Sequence, residues 1–239
     1  MSDDAPAASA PPRWLLIVLA CLAIGGLAFA IGRFSTFGAS AATPAGDSAE
    51  AGFARDMQVH HAQAIAMAME IYRKTDDEEL RVLSYDIATG QAGQRGEMFD
   101  WLVQWGLPQA GDPMMAWMAA SEEGHAHGDG EAGAALTDEE ARAAMGMATD
   151  AELSALGSAS GQAADCLFLE LMIRHHEGAI PMAEAVIELG TEPRVLTVAE
   201  SMRAGQTAEI DAMQSMQQRL GCSGWPHGRA AIVPPASLQ

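Results

Sequence analysis

Positive charge is scarce in this sequence: 13 Lys and Arg stand against 32 Asp and Glu, a formal net charge of −19 at pH 7. A chain this acidic lacks the basic surface that neutralises phosphate, which excludes nucleic acid and anionic membrane surfaces as partners. Catalytic motifs are missing too. There is no zincin motif, phosphate-binding loop or nucleophile elbow. A di-iron bundle needs Glu-x-x-His pairs on facing helices, and the only such spacing, Glu122 to His125, lies beside Gly124 in a loop. Charge of either sign is absent from residues 14–32, WLLIVLACLAIGGLAFAIG, between Arg13 and Arg33. At about 1.5 Å per residue this run crosses the ~30 Å hydrocarbon core of a bilayer, so it predicts one transmembrane helix. A cleaved signal peptide competes with that reading, since GASAA at 38–42 supplies small residues of the kind found at cleavage sites. One arginine at each end leaves the positive-inside rule tied.

What is present is a duplication. FARDMQVHHAQAIAMAMEI at 53–71 and FLELMIRHHEGAIPMAEAV at 168–186 share one skeleton. Phe53 matches Phe168, Met57 Met172, His60 His175, His61 His176, Ile65 Ile180, Met67 Met182, Gln91 Gln206 and Met98 Met213, each pair offset by 115. A gapless match of such specific spacing over 53–106 and 168–221 implies a supersecondary unit used twice.

The organisation follows from breakers and caps. Residues 1–13 form a polar tail, 14–32 the apolar anchor or signal, and 33–49 an Ala/Gly/Ser linker. Helix one is expected over about 50–74. Thr75-Asp76-Asp77-Glu78 has the form of a capping box and starts helix two, which ends before Gly106 and Pro108. Gly190-Thr191-Glu192-Pro193 turns between helices of about 162–189 and 192–220. Each repeat is then a helical hairpin, and the pair predicts an all-α four-helix bundle over 50–221. A Met- and Gly-rich crossover, 107–161, carries two short helical signals at Thr137-x2-Glu140 and Thr149-x2-Glu152, and 222–239 is a tail. Two features resist the pattern. Gly90, Gly93 and Gly96 weaken helix two by roughly 1 kcal/mol each relative to Ala, as close helix approach or a break would explain. Pro181 lies inside the third long helix, where a kink is expected.

On a helix, Met57, His60, His61 and Met67 share one face about 120° wide, and Gln91 and Met98 lie seven apart on the partner helix. The hairpin geometry therefore predicts a pocket of imidazole and thioether groups in each half. Thioether sulfur is soft and neutral and suits Cu(I) and Ag(I), while imidazole accepts Cu(I), Cu(II) and Zn. The candidate metal ligands are Met57, His60, His61, Met67 and Met98 in the first repeat, and Met172, His175, His176, Met182 and Met213 in the second. Weaker candidates are Gln91, Gln206, His125, His127, Met114, Met115, Met118, Met145 and Met147. Methionine at helical spacing is also ordinary core filler and a buried histidine an ordinary core residue. The duplication of the whole His-His-Met pattern is what favours ligation. Cys166 and Cys222 bracket the second repeat. If it is a hairpin they are neighbours, and a disulfide between them would favour an oxidising, extracytoplasmic compartment.

The stretches Met-Ile-Arg-His-His-Glu-Gly-Ala-Ile-Pro-Met-Ala at 172–183 and Gly-Met-Ala-Thr-Asp-Ala-Glu-Leu at 146–153 resemble the domain-of-unknown-function 305 family. That resemblance covers about 50–221 and implies a ferritin-like helical bundle. Because the family includes CopM-type copper-binding proteins of the bacterial envelope, it also implies extracytoplasmic location and metal binding. The combined expectation is a single-pass cell-membrane protein whose bundle sequesters copper or hands it on, Cu(I) before Ag(I), Cu(II) or Zn, without catalysis. A copper-handling partner protein and a homo-oligomer are compatible with it. A metal-dependent oxidoreductase and a purely structural envelope bundle are the alternatives.

Overall fold

The structure, a computed structural model, describes residues 13–37, 43–118 and 136–222. The histidines at 125 and 127 and the tails at 1–12 and 223–239 lie outside these residues. The chain divides into two units, Met1–Thr43 and Pro44–Gln239.

In the first unit, α1 (Arg13–Phe37) is apolar all round rather than on one face. Its Arg13–Ile31 stretch, with mean hydropathy 2.6, is long and apolar enough to cross a membrane. The helix runs past the charge-free segment into the expected linker, whose first residues contain no breaker before Gly38.

The second unit is all helical among the described residues, and it is the expected bundle of two hairpins. Helix α2 (Ala49–Tyr72) starts where the Ser48 hydroxyl accepts from the amide of Ala51. Helix α3 (Glu78–Gln104) is capped by Asp77, whose carboxylate accepts from Leu80 at 2.9 Å. The expected Thr75 box does not form. Thr75 is buried and its hydroxyl is taken by the amide of Asp77, so the helix begins later. Beyond α3 come a single 3-10 turn at Ala116–Met118, then α4 (Asp138–Ala144) and α5 (Asp150–Ser158). Both short helices open on the capping boxes seen in the sequence, Thr137 with Glu140 and Thr149 with Glu152. Helix α6 (Gly161–Leu189) is one unbroken helix across Pro181, and α7 (Pro193–Arg219) starts with Pro at its first position.

The duplication is visible in the caps. After α3, Gly106 takes φ +68° and Leu107 donates to Leu102 at 2.8 Å; after α7, Gly221 takes φ +71° and Cys222 donates to Gln217 at 2.9 Å. The first helix of each repeat also reaches the turn of the other. Glu50, 4% exposed, accepts from the amides of Thr191 and Glu192, and the counterpart Asp165 is buried and hydrogen-bonded to Thr75.

Each hairpin packs along its own length, and α2 against α6 joins the two. One buried cluster takes Phe53 and Met57 from the start of α2 together with Met182 and Val186 from the end of α6. The other takes Met67 and Ile71 from the end of α2 with Phe168 and Met172 from the start of α6. The two central helices are therefore antiparallel. A disulfide joins Cys166 to Cys222 with Cα atoms 5.4 Å apart, pinning the start of α6 to the chain end after α7. The glycines of α3 answer to neither expectation: the helix is continuous, and nothing lies within 4 Å of where a Cβ would sit on Gly90, Gly93 or Gly96.

Candidate metal centre

Antiparallel packing of α2 on α6 sets the two His-His pairs against each other at the middle of the bundle. The rings of His60 and His175 stack with centroids 3.6 Å apart and planes at 28°. His61 lies 6.2 Å from His60 and His176 lies 6.2 Å from His175, so four imidazoles gather in one group. All four residues are completely buried. The expectation of a separate pocket in each half is corrected for the histidines: they form one shared group, because the pseudo-symmetry relating the repeats passes between them.

In every ring Nε2 makes the hydrogen bond. His60 Nε2 donates to the carbonyl of Met145 at 3.0 Å and His175 Nε2 to the carbonyl of His60 at 3.1 Å. His61 Nε2 meets Gln94 Oε1 at 2.8 Å, and His176 Nε2 meets Glu209 Oε2 at 2.7 Å. Gln94 and Glu209 are themselves equivalent, again offset by 115. Four acceptors assign the proton to Nε2 throughout. All four Nδ1 atoms are then left buried and without a partner.

Burial holds His60, His61 and His175 neutral. It drives His60 down to about 3, aided by the nearby His61 and opposed by the Met145 carbonyl. It brings His61 down to about 4, with the Gln94 bond opposing it, and lowers His175 well below the usual histidine range, with His60 adding to the effect. An unpaired buried nitrogen is costly, and four of them within one group of side chains are unusual. Nitrogen lone pairs in that condition are suited to a metal ion, and the Nε2 bonds are of the kind that orient ligating histidines.

The candidate methionines fall into two buried clusters, and each mixes the repeats. Met57, Met98 and Met182 share one cluster with Met145 and Met147; Met67, Met172 and Met213 share the other. All are 5% exposed or less. Gln91 and Gln206 are each 4% exposed with both amide atoms unpaired. Met114, Met115 and Met118 pack against the first cluster on a loop held by Asp56, which accepts from the amide of Met115 and the indole of Trp117, both at 2.8 Å. Among the described residues no three His, Cys, Asp or Glu side chains are arranged to chelate an ion by themselves. A site here must combine imidazole with thioether.

Three features escaped the sequence reading. Gln94 and Glu209 were legible in the repeat alignment, each 33 residues after the histidine it holds. The backbone of Met145 and Gly146 threads between α2 and α6, where Gly178 lets it approach: a Cβ on Gly178 would lie 2.0 Å from the Met145 carbonyl oxygen. At the position equivalent to Gly178, Gln63 instead grips both backbone groups of Ala148.

The family model described as Domain of unknown function (DUF305) matches residues 50–217. A DUF305 protein from Streptomyces coelicolor, described as secreted, is 41% identical in sequence with a TM-score of 0.63, the match covering 74% of this chain and 95% of that one. A DUF305 fragment from Deinococcus radiodurans is 30% identical with a TM-score of 0.57, covering 72% and 96%. CopM in its Ag-bound form is 25% identical with a TM-score of 0.51, covering 71% and 96%. No curated protein matches the chain.

Proposed function

The chain belongs to the DUF305 family, and from its group of buried imidazoles we propose that it binds a soft metal ion of the copper or silver kind as cargo, Cu(I) foremost. The observation that carries this reading is the set of four buried, unpartnered Nδ1 atoms, each on a ring already fixed through Nε2. Histidines kept only for packing have no need to leave four ring nitrogens unpaired in one group. The ligands are drawn from His60, His61, His175 and His176 with thioethers of the two clusters, Met57, Met98 and Met182 in one and Met67, Met172 and Met213 in the other. Such a donor set is neutral and soft, which suits Cu(I) and Ag(I) over Zn and excludes Mg or Ca. CopM, which shares the fold, has been solved with Ag, Cu(I) and Cu(II) bound.

Burial keeps the site dry and holds His60, His61 and His175 unprotonated, so these three meet an incoming ion as ready ligands. The protein's role in this reading is sequestration or handover, with α1 as a membrane anchor and the bundle outside the cytoplasm. The Cys166–Cys222 disulfide supports that placement, because such bonds persist in oxidising compartments.

The test is a Cu(I) titration of the full chain against a competing chelator, beside His60→Ala/His175→Ala and His61→Ala/His176→Ala, with circular dichroism to verify folding. Loss of tight binding in folded variants is expected. Unchanged affinity would return the histidines to the core and make the protein a structural bundle.

A further inference from the structure

The outer face of α3 is apolar where nothing among the described residues covers it. Val82, Tyr85, Phe99 and Val103 are 59%, 52%, 51% and 55% exposed. Between the two pairs lie Thr89, Ala92 and Gly96, also exposed, and the whole series advances in alternating steps of three and four. That is the heptad seam by which one helix packs along another, sustained over three repeats of the pattern.

The duplicated repeat provides an internal comparison. At the equivalent positions α7 carries Thr197, Glu200, Ala204, Thr207, Asp211, Gln214 and Gln218, all exposed. The fold therefore tolerates a polar, solvated surface at this place. The apolar seam on α3 answers to some other demand. The same demand accounts for Gly93 and Gly96, which weaken the helix although a Cβ on either would meet nothing within 4 Å among the described residues. Small residues at mid-seam let a second backbone come close, with the larger side chains meeting at either end.

We propose that this face binds the same face of a second copy of the chain, with the two α3 helices parallel about a two-fold axis. Charge selects both the partner and the direction. Arg95 flanks the seam on one side and Asp100 on the other, five residues apart, the spacing that pairs opposite charges across a parallel two-stranded seam. Arg81 and Asp86 repeat that spacing at the other end, although Arg81 is already bonded to the carbonyls of Tyr72 and Thr75. Among the described residues Arg95 makes no ion pair, so it is available. An antiparallel arrangement would instead set Asp86 against the second copy's Asp100, two like charges face to face. The seam is self-complementary only in the parallel sense. A single helix face is smaller than a standard interface of about 800 Å² per partner, so the dimer is expected to dissociate on dilution.

The experiment uses the full chain in detergent with Cys21→Ser, so that an added thiol is unique. Ala92→Cys, at mid-seam, is expected to cross-link into a dimer with a short bis-maleimide, and Thr207→Cys at the equivalent place on α7 is not. Phe99→Asp should weaken dimerisation at least roughly tenfold in sedimentation equilibrium, with unchanged circular dichroism. Arg95→Asp should weaken it as well, and Arg95→Asp/Asp100→Arg should restore it, which an antiparallel pair would not do. A chain monomeric up to about 100 μM, or a dimer indifferent to Phe99→Asp because α1 or another partner surface holds it, would overturn the proposal.

Discussion

Glu209 and Gln94 each hold the outer histidine of a pair, at 2.7 and 2.8 Å, and neither is part of the His-His-Met pattern that first drew notice. Groups that fix a ligating imidazole through its far nitrogen are worth about 10–100-fold in metal affinity. Glu209→Ala and Gln94→Ala are therefore each expected to weaken Cu(I) binding by a factor in that range, read by chelator competition. The Glu209 change should be the larger, because a carboxylate is the stronger acceptor. Gly178 acts through space alone. A methyl group there would collide with the Met145 carbonyl that receives the His60 proton. Both groups belong to rigid backbone, so neither can yield cheaply. Gly178→Ala should cost about 2–3 kcal/mol in a denaturant melt, whereas Gly93→Ala, with open space around it, should leave the isolated bundle as stable or more so. The sequence showed Gly178 inside the motif but could not say why; the reason is a segment that arrives from more than thirty positions upstream.

At the scale of elements, capping chemistry was the most legible part. Thr137 and Thr149 begin helices as read, because a capping box is satisfied by residues within one turn. Thr75 fails for a tertiary reason: it is buried against the other hairpin, and Asp77 takes the cap. Helix α5 is docked on α6 by a two-pronged ion pair, Arg174 to Glu152 at 2.8 and 2.7 Å. Arg174 holds Glu152 down to about 2, below its ordinary 4.5, with the Thr149 amide helping. A carboxylate lowered in the folded state adds stability that is complete above about pH 4.5 and lost as pH falls toward 2. Glu152→Gln should therefore lose stability at pH 6, by about 1 kcal/mol after allowance for solvent screening, and match the parent near pH 2. Urea melts across that range measure it. Asp77, held down to about 2 by Arg219, titrates in the same window and persists in the variant. The Cys166–Cys222 bond spans 56 residues, and opening it by Cys166→Ala/Cys222→Ala should cost about 4 kcal/mol on the chain-entropy account, read as a lower denaturation midpoint.

For the whole molecule, two hairpins of one design meet along α2 and α6, and the meeting surface is where the four histidines collect. If α1 serves as an anchor, the mature chain should remain in the membrane pellet after carbonate extraction. Recovery in the soluble fraction, with an N-terminus near 38–42, would identify α1 as a cleaved signal.

The sequence by itself determined the helices, their pairing into hairpins, the duplication and the residue types of the site. These depend on periodicity, caps and turn residues, all interactions between near neighbours along the chain. It did not determine that the two His-His pairs meet in one group or that each methionine cluster borrows from both repeats. It also left open the glycines of α3. The first two follow from the antiparallel register of α2 on α6, a packing of surfaces 115 residues apart that no local rule encodes. The last became legible only when the tertiary structure showed which helix faces were left uncovered.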